Sequence, residues 1–346
     1  MSSPTTRAIL IERHGAPESL VERDIPRREP GPSEVLLKVH AAGVNFADLL
    51  MRAGLYSTVP PRPYSPGFEV AGEVAQLGSD VKGWSEGDRV VAIMRFGAYA
   101  NEVVVPATDL LGYPASLTPV EAAAVPVVFL TAWVCLFEAA HARSGETALI
   151  LGAGGGVGTA AVQLAVGRGM RVLGTAGTDR KREFVVNDLG AEACFDSRAD
   201  WETRVRQTVG SRAVDIALDP VGGRATVACR GLLAPLGRLV FYGMSEAMPG
   251  RKLARLRAVR AWLRTPRFHP LSLVEPNIGV FGVHLLHLGA KEPLLRNALA
   301  EILQRVVHGE LRPVVDRTFP LNREGAVQAH AYIHARKNLG KVVLER

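Results

Sequence analysis

The stretch that decides the fold reads Ala148-Leu-Ile-Leu-Gly-Ala-Gly-Gly-Gly-Val-Gly158. An apolar strand runs straight into a cluster of glycines, and an apolar helix begins where the cluster ends. The spacing Ala153-x-Gly155-x-x-Gly158 matches a dinucleotide-binding fingerprint with alanine in the first place. The first small residue permits a tight turn, the second lets backbone N–H groups approach a diphosphate, and the third lets the helix pack closely on the strand. The turn therefore predicts a dinucleotide site, the alternative being an ordinary glycine loop.

A regular alternation of strands and helices surrounds this turn. Strands are predicted at 148–151, 171–175, 194–195, 214–218 and 238–242, with helices beginning at 156, 179, 201 and 225. Repeated alternation of this kind indicates a doubly wound parallel sheet of the α/β class.

The first third of the chain has a different pattern. Short strands are predicted at 35–39, 68–77, 90–93 and 103–106, and a stiff proline-rich loop at 59–67. A helix near 293–307 and a strand at 341–344 close the chain, and we expect that strand to return to the first domain. The predicted organisation is a β-rich domain of residues 1–126 and 285–346, with a dinucleotide-binding domain of residues 127–284 between its two parts.

The composition argues against several classes of protein. Cys135, Cys194 and Cys229 stand alone, so they form neither a disulfide framework nor a zinc cluster. Residues 1–13 lack the apolar core of a signal peptide, which predicts a cytoplasmic protein. The apolar runs near 122–137 and 147–167 are interrupted by proline or glycines, which favours buried core over membrane spans.

The net charge of +7 comes from one segment, residues 251–267. Seven bases and no acid lie there; without them, Lys and Arg equal the 34 acidic residues in number. Its arginines at 257, 260, 264 and 267 would share one helix face. Such a helix suits an anionic membrane surface, a cationic mouth for an acidic substrate, or a solvated flap beside the substrate cleft. Nucleic acid is disfavoured because aromatic residues are not interleaved.

The end of the second strand of the parallel sheet indicates which cofactor is bound. NAD sites usually place an acid there to bond the ribose 2′-hydroxyl. Here the corresponding position, Ala176, is neutral, and Thr178 follows with three cations, Arg180, Lys181 and Arg182. A hydroxyl and cations suit a 2′-phosphate, so NADPH is favoured over NADH, the alternative being an ordinary basic helix start. Asp179 is expected to cap the next helix.

Eight ordered stretches resemble a known superfamily. They read Ala41-Ala-Gly-Val-Asn-Phe-Ala-Asp48, Arg52-Ala-Gly-Leu-Tyr56, Pro66-Gly-Phe-Glu-Val-Ala-Gly72, Gly87-Asp-Arg-Val90, Leu130-Thr-Ala132, the turn from Ala153 to Gly158, Asp219-Pro-Val-Gly-Gly223 and Asn338-Leu-Gly-Lys-Val-Val343. The set resembles the medium-chain dehydrogenases/reductases, in the quinone oxidoreductase and zeta-crystallin branch. Phe281-Gly-Val-His-Leu285 and the inserted basic region resemble the vesicle amine transport protein type within that branch. The resemblance implies a GroES-like β-rich catalytic domain beside a Rossmann domain.

Zinc-dependent members of that superfamily differ from this chain at the metal. They carry a catalytic cysteine where this chain has Asn45 and a histidine where it has Phe68, and their four structural cysteines have no counterpart. Zinc needs about three to four converging N, S or O ligands. The sequence therefore predicts no zinc site. Without a Lewis acid, alcohol oxidation is hard, whereas hydride delivery to an electron-poor quinone or enone needs less help.

The resemblance also implies which residues form the site. Asn45 and Tyr56 would line the substrate pocket, although Asn45 could equally cap a helix at 46–51 and Tyr56 could simply pack. The turn and the resemblance together assign the cofactor to Thr131, Ala153, Gly155, Gly156, Val157, Gly158, Thr178, Lys181, Gly243, Phe281, Val283 and Asn338. His284 is either a proton donor or an ordinary core or surface histidine. Some NADPH-using relatives carry a tyrosine in the stretch aligned with residues 195–197, and this chain does not.

The predicted function is therefore an NADPH-dependent, zinc-free reductase of quinones or activated alkenes such as enones and enals. The alternative is a membrane-associated or dinucleotide-sensing adaptor with the same fold and little turnover. The resemblance implies a homodimer joined through the edges of the Rossmann sheets.

Overall fold

The structure, a computed structural model, describes residues 4–56, 58–245 and 265–346. Six of the seven bases of the basic segment lie outside these ranges, and Arg267 lies within them. The helix expected for that segment therefore falls outside the described residues. The chain forms two compact units, Met1–Leu130 with Glu292–Arg346, and Thr131–Lys291. We call them the β-rich unit and the parallel-sheet unit. The boundaries between the units fall after Leu130 and Lys291. The sequence pattern predicted them after residues 126 and 284.

The secondary structure follows the alternation predicted for the parallel-sheet unit and adds elements to the β-rich unit. The strands are β1 (Thr5–Ile11), β2 (Leu20–Pro26), β3 (Glu34–Val44), β4 (Glu69–Leu77), β5 (Arg89–Ile93), β6 (Glu102–Pro106), β7 (Leu110–Gly112), β8 (Thr147–Ile150), β9 (Arg171–Ala176), β10 (Ala193–Asp196), β11 (Val214–Asp219), β12 (Leu233–Phe241), β13 (Gly279–Gly282), β14 (Val315–Pro320) and β15 (Lys341–Glu345). The helices are α1 (Phe46–Ala53), α2 (Pro119–Ala123), α3 (Pro126–Trp133), α4 (Gly156–Gly167), α5 (Asp179–Asn187), α6 (Trp201–Val209), α7 (Arg224–Leu232), α8 (Leu271–Val274), α9 (Glu292–Val307) and α10 (Arg323–His334).

The β-rich unit is built on a seven-stranded sheet. Its strand order is β14-β15-β3-β4-β5-β7, with β6 paired to β3, and β1 and β2 form a separate antiparallel pair. β15 pairs antiparallel with β3, Val342 opposite Val44, so the last strand returns to the first domain as predicted. The proline-rich loop forms no helix or strand over residues 59–67, apart from one bridge between Tyr64 and Ile11.

The parallel-sheet unit contains six strands in the order β10-β9-β8-β11-β12-β13. Every neighbouring pair is parallel, which confirms the doubly wound sheet. β8 stands where the order reverses, and ligands of open α/β sheets bind at that point, outside the carboxyl ends of the strands. In its core, buried strand residues such as Leu149 and Leu239 pack with Val205 of α6 and Leu232 of α7.

One helical stretch among the described residues, Pro119–Ala139, is long and apolar enough to cross a bilayer. Two thirds of its most apolar window, 67%, is buried inside the protein, and length and composition alone also describe core helices. Its first turn is capped reciprocally: Thr118 Oγ1 accepts from the N–H of Glu121, and the Glu121 carboxylate accepts from the N–H of Thr118.

Candidate cofactor and substrate sites

The glycine turn connects the buried strand β8 to α4 at the carboxyl edge of the sheet. Gly152 adopts a left-handed conformation with φ of 64°, which only glycine adopts without strain. A Cβ on Gly158 would lie 2.2 Å from the carbonyl oxygen of Gly152 and 2.7 Å from Cα of Ala153. Both neighbours are backbone atoms, so the close packing of α4 on the turn requires glycine at 158. Ala153 is fully buried and donates its N–H to the carbonyl of Thr175 on β9.

The same turn provides donors for an anion. Gly155 caps α4, and the N–H groups of Gly156, Val157 and Gly158 belong to the first helical turn, where no intrahelical acceptor exists. Gly156 and Val157 are half-buried rather than covered. Helix N-termini of this form bind phosphate groups, so the residues present fit the diphosphate of a dinucleotide.

Thr178 and Lys181 lie where β9 ends and α5 begins. Ala176 is 3% exposed and carries no charge, so no acid occupies the usual NAD position. Thr178 caps α5 by accepting from the N–H of Lys181 at 3.4 Å, which corrects the expectation that Asp179 is the cap. The Lys181 stem lies against the glycine turn, since a Cβ on Gly154 would be 3.0 Å from Cβ of Lys181.

Among the described residues, the arginine that lies free beside this loop is not one that the sequence spacing suggested as a phosphate ligand. Arg182 is engaged within the fold: it pairs with Asp179, lies 3.6 Å from Asp196 and donates to the carbonyl of Ala176 at 3.3 Å. It therefore supports α5 instead of serving the phosphate. Arg198, after β10, lies beside the loop between β9 and α5 and escaped the sequence analysis, because no local spacing relates it to that loop.

Most of the other predicted cofactor residues lie at the same edge of the sheet, and Thr131 is the first residue of the parallel-sheet unit. Gly243 follows β12, and Val283 follows β13 and donates its N–H to Phe241 at 2.9 Å. Phe281, on β13, is 40% exposed, and Thr131 is half-buried on α3. His284 faces His287 with ring centroids 4.3 Å apart, and burial together with that second imidazole lowers the pKa of His284.

In the β-rich unit, Asn45 belongs to a buried cluster with Glu69 and Lys341. The Lys341 ammonium donates to Asn45 Oδ1 at 2.6 Å and to Glu69 Oε1, and Asn45 Nδ2 donates to Glu69 Oε1 at 2.9 Å. Glu69 is fully buried and also accepts the N–H of Val127 at 2.7 Å. Gly43 makes room for it, since a Cβ there would lie 2.3 Å from Glu69 Oε1. Among the described residues this leaves one N–H of the Asn45 amide for a further acceptor.

A second chain of buried polar groups begins at Asp48, whose Oδ2 accepts from the N–H of Asn45 at 2.7 Å and from the Tyr99 hydroxyl at 3.1 Å. The Tyr99 hydroxyl is 3.3 Å from His330 Nε2, and Arg52 Nη1 is 3.5 Å from His330 Nδ1. Because arginine only donates, Nδ1 of His330 accepts and Nε2 carries the hydrogen. Burial lowers the pKa of His330 well below its usual range, so the imidazole is neutral.

Burial also raises the pKa of Asp48 to about 7, against the opposing effects of its hydrogen bonds and of the Lys341 charge. Tyr56 is half-buried, with its ring centroid 6.1 Å from that of Phe68. Burial and the Asp48 charge raise the pKa of Tyr56 to about 12, so its hydroxyl stays protonated at neutral pH. Asn338, before β15, donates to the carbonyl of Gly340 at 2.8 Å.

The residues at the expected metal position do not fit zinc. Phe68 is 3% exposed within an aromatic group with Tyr56 and Phe96, and Asn45 is bonded to Glu69 and Lys341. A cation, the Lys341 ammonium, already lies against the carboxylate there. Within residues 4–56, 58–245 and 265–346, no group of three or more His, Cys, Asp or Glu side chains could hold a metal ion.

Two family models match the chain, one described as alcohol dehydrogenase GroES-like domain over residues 31–115 and the other as zinc-binding dehydrogenase over residues 189–344. The rat synaptic vesicle membrane protein VAT-1 homolog is 34% identical, over 99% of this chain and 84% of its own length. Rat quinone oxidoreductase is 31% identical, over 98% of this chain and 97% of its own length.

Solved structures agree with these relatives. The Escherichia coli quinone oxidoreductase complexed with NADPH superposes with a TM-score of 0.86 at 27% identity, covering 98% of this chain and all of that one. The CurK enoyl reductase gives 0.83 at 27% identity, with 99% of each chain covered. The β-rich unit is thus GroES-like and the parallel-sheet unit is Rossmann-like. The chain belongs to the medium-chain dehydrogenase/reductase superfamily, in the branch of the quinone oxidoreductases and VAT-1 homologues.

The raised pKa of Asp48 predicts a protonated carboxyl group in the folded protein at pH 6. Its pKa of about 7 lies above the ordinary 3.8, so the group is protonated below about pH 7 and ionised above it. Infrared difference spectra should therefore show a carboxylic acid C=O band that disappears through neutral pH and is missing in Asp48→Asn. The control is Asp200→Asn, which removes an exposed carboxylate whose pKa Thr203 lowers; it should keep the band. A spectrum unchanged by Asp48→Asn would contradict the assignment.

The buried ion pair predicts a non-additive pair of variants. Lys341→Met removes the ammonium and leaves the Glu69 carboxylate buried without a counter-charge, which should cost about 3–5 kcal/mol of unfolding free energy. The double variant Glu69→Gln with Lys341→Met should recover most of that loss, because no buried charge remains. Urea denaturation followed by circular dichroism measures both, with the exposed Lys82→Met as the matched control. If Lys341→Met and Lys82→Met both lower the free energy of unfolding by the same small amount, the prediction that Glu69 needs Lys341 as its counter-charge is wrong.

Proposed function

We propose that the chain is an NADPH-dependent reductase that transfers hydride to quinones or activated alkenes and uses no zinc. The observation that carries the proposal is the carboxyl edge of the parallel sheet. There a glycine turn suited to a diphosphate stands beside a strand end without an acid, with Thr178 and Lys181 next to it. One relative is a quinone oxidoreductase, one solved relative is complexed with NADPH, and another is named an enoyl reductase.

The reduced nicotinamide supplies the hydride, and the protein's part is to orient the acceptor and stabilise the charge that develops on its oxygen. Asn45 is suited to this because Lys341 holds its Oδ1 and Glu69 holds one of its two N–H groups. The amide cannot turn over without losing both contacts, so its remaining N–H has a fixed direction. Tyr56 is a second donor, protonated at neutral pH.

The proposed absence of zinc follows from the donors at that position. Asn45 offers a weak amide ligand and Phe68 offers none, while the nearby Lys341 ammonium would repel a second cation. Electron-poor quinones, enones and enals accept hydride without a Lewis acid, which agrees with the proposed substrates. The homodimer implied by the resemblance and the cytoplasmic location stay predictions.

A second candidate is a membrane-associated adaptor with the same fold and little turnover. It is favoured by the basic segment 251–267 and by the name of one relative, a synaptic vesicle membrane protein. Both candidates keep the dinucleotide site, so turnover distinguishes them.

The reductase proposal predicts oxidation of NADPH, in preference to NADH, with at least one member of a panel of quinones, 2-alkenals and enoyl thioesters. Asn45→Ala should lower kcat about a hundredfold, the usual cost of one oxyanion donor, while the Kd for NADPH stays unchanged. Asn187→Ala, at the exposed end of α5, is the matched control. Metal analysis should find no zinc, and a chelator should leave the activity intact. Absence of turnover with every acceptor would favour the adaptor, and one zinc per chain would contradict the metal-free proposal.

The adaptor candidate predicts flotation of the full chain with vesicles that contain anionic lipid, and not with neutral vesicles, since each basic residue near such a surface contributes about 1 kcal/mol. Replacing the arginines at 257, 260, 264 and 267 by glutamine should abolish flotation. The control removes the same charge from exposed positions elsewhere: Arg13, Arg62, Arg95 and Arg204. Flotation that is independent of lipid charge, or equal in both variants, would rule out this role of the segment.

A further inference from the structure

A guanidinium lies over the loop that joins β9 to α5. The nearest side-chain atoms to a Cβ built on Gly177 are Arg198 Nη2 at 3.5 Å, Arg198 Nε at 3.6 Å and Ser197 Oγ at 3.6 Å. Gly177 stands between the buried Ala176 and the helix cap Thr178. Arg198 therefore reaches from the end of β10 to the place where an NAD enzyme would carry its ribose-binding acid.

The backbone holds Arg198 at this position. β10 pairs in parallel with β9, Asp196 opposite Ala176, and the N–H of Ser197 continues the ladder by donating to Ala176 at 3.1 Å. The Asp196 carboxylate then accepts the N–H of Arg198 at 2.9 Å, which closes a tight turn. Two successive contacts thus fix the Cα of Arg198 beside the end of β9.

The charges around Arg198 favour an anion. Two acidic groups stand two residues from it: Asp196 faces Arg182 at 3.6 Å, and Asp200 caps α6 by accepting the N–H of Thr203 at 3.2 Å. Asp179 pairs with the same Arg182, so the charges of Asp196 and Asp179 are offset. The Arg198 side chain is exposed, and within the described residues no hydrogen bond or ion pair occupies its guanidinium. A planar group with five donors matches the geometry of phosphate oxygens.

We propose that Arg198 binds the 2′-phosphate of NADPH, together with Thr178 and Lys181, and that it determines the preference for NADPH over NADH. The inference rests on the proposed function only in assuming that a dinucleotide binds at the glycine turn. Lys181 approaches from the glycine-turn side, against Gly154, and Arg198 approaches from the β10 side, over Gly177. The Thr178 hydroxyl, on the loop that Arg198 lies over, accepts the N–H of Lys181 and can donate another hydrogen bond.

Isothermal titration of the full chain with NADPH and NADH, which differ only in the 2′-phosphate, tests this without any substrate. Arg198→Ala should weaken NADPH binding about ten- to a hundredfold, the range for a charge-assisted contact, and should change NADH binding by less than about twofold. Arg198→Lys, which keeps the charge but not the planar fork, should fall between. Arg204→Ala removes the same charge from the neighbouring helix α6 and should leave both affinities unchanged. Circular dichroism checks that each variant is folded.

Each other result overturns a distinct statement. If Arg198→Ala weakens both cofactors equally, or neither, while the native chain prefers NADPH, the role of Arg198 is wrong and the cofactor preference stands. If the native chain binds both cofactors equally, the inference fails together with the NADPH part of the proposed function. If the preference exists and depends on Arg198 but no acceptor is reduced, the inference holds and the proposed reductase activity fails.

Discussion

The buried ion pair between Lys341 and Glu69 is the contact on which the β-rich unit depends. Two charges removed from water cost several kcal/mol each, and only close pairing with full hydrogen bonding repays that cost. Here the carboxylate is satisfied by an ammonium, an amide and a backbone N–H, and Gly43 supplies the space it needs. Because Asn45 is held by both charges, the direction of its amide is set by two residues that lie on separate strands, Glu69 on β4 and Lys341 on β15.

The parallel-sheet unit depends on a constraint of space instead of charge. Helix α4 approaches the turn after β8 so closely that only a hydrogen atom fits on the Cα of Gly158. This brings the first N–H groups of the helix to the point where the strand order reverses. Ligand specificity is then left to the neighbouring loops, where Thr178, Lys181 and Arg198 converge from two different strand ends.

Local patterns in the sequence predicted most of the parallel-sheet unit, because its turn, its caps and its alternation each depend on residues close in the chain. The β-rich unit was predicted less completely. β3 runs to Val44, well past the predicted end at 39, through Ala41, Ala42 and Gly43, which favour no strand by themselves. Pairing with β15 and the room required by Glu69 decide that segment, and both come from distant residues. For the same reason, neither the contact of Lys341 with Asn45 nor the position of Arg198 over Gly177 could be predicted from spacing. Arg182, in contrast, matched the spacing expected of a phosphate ligand, and acidic neighbours engage it.

The sequence separation of Lys341 and Glu69, 272 residues, has a consequence for synthesis on the ribosome. At about 5–20 residues per second, the carboxylate waits roughly 15–50 s for its counter-charge. During that interval every strand of the parallel-sheet unit is synthesised, and the β-rich unit lacks β15 until the interval ends. The intervening unit can therefore fold first, and the β-rich unit closes around its buried charges only when translation reaches the final strand. A nascent chain that stalls before that strand would leave one edge of β3 unpaired over Ala41–Val44, and an unpaired strand edge of this kind makes an incomplete fold prone to aggregation.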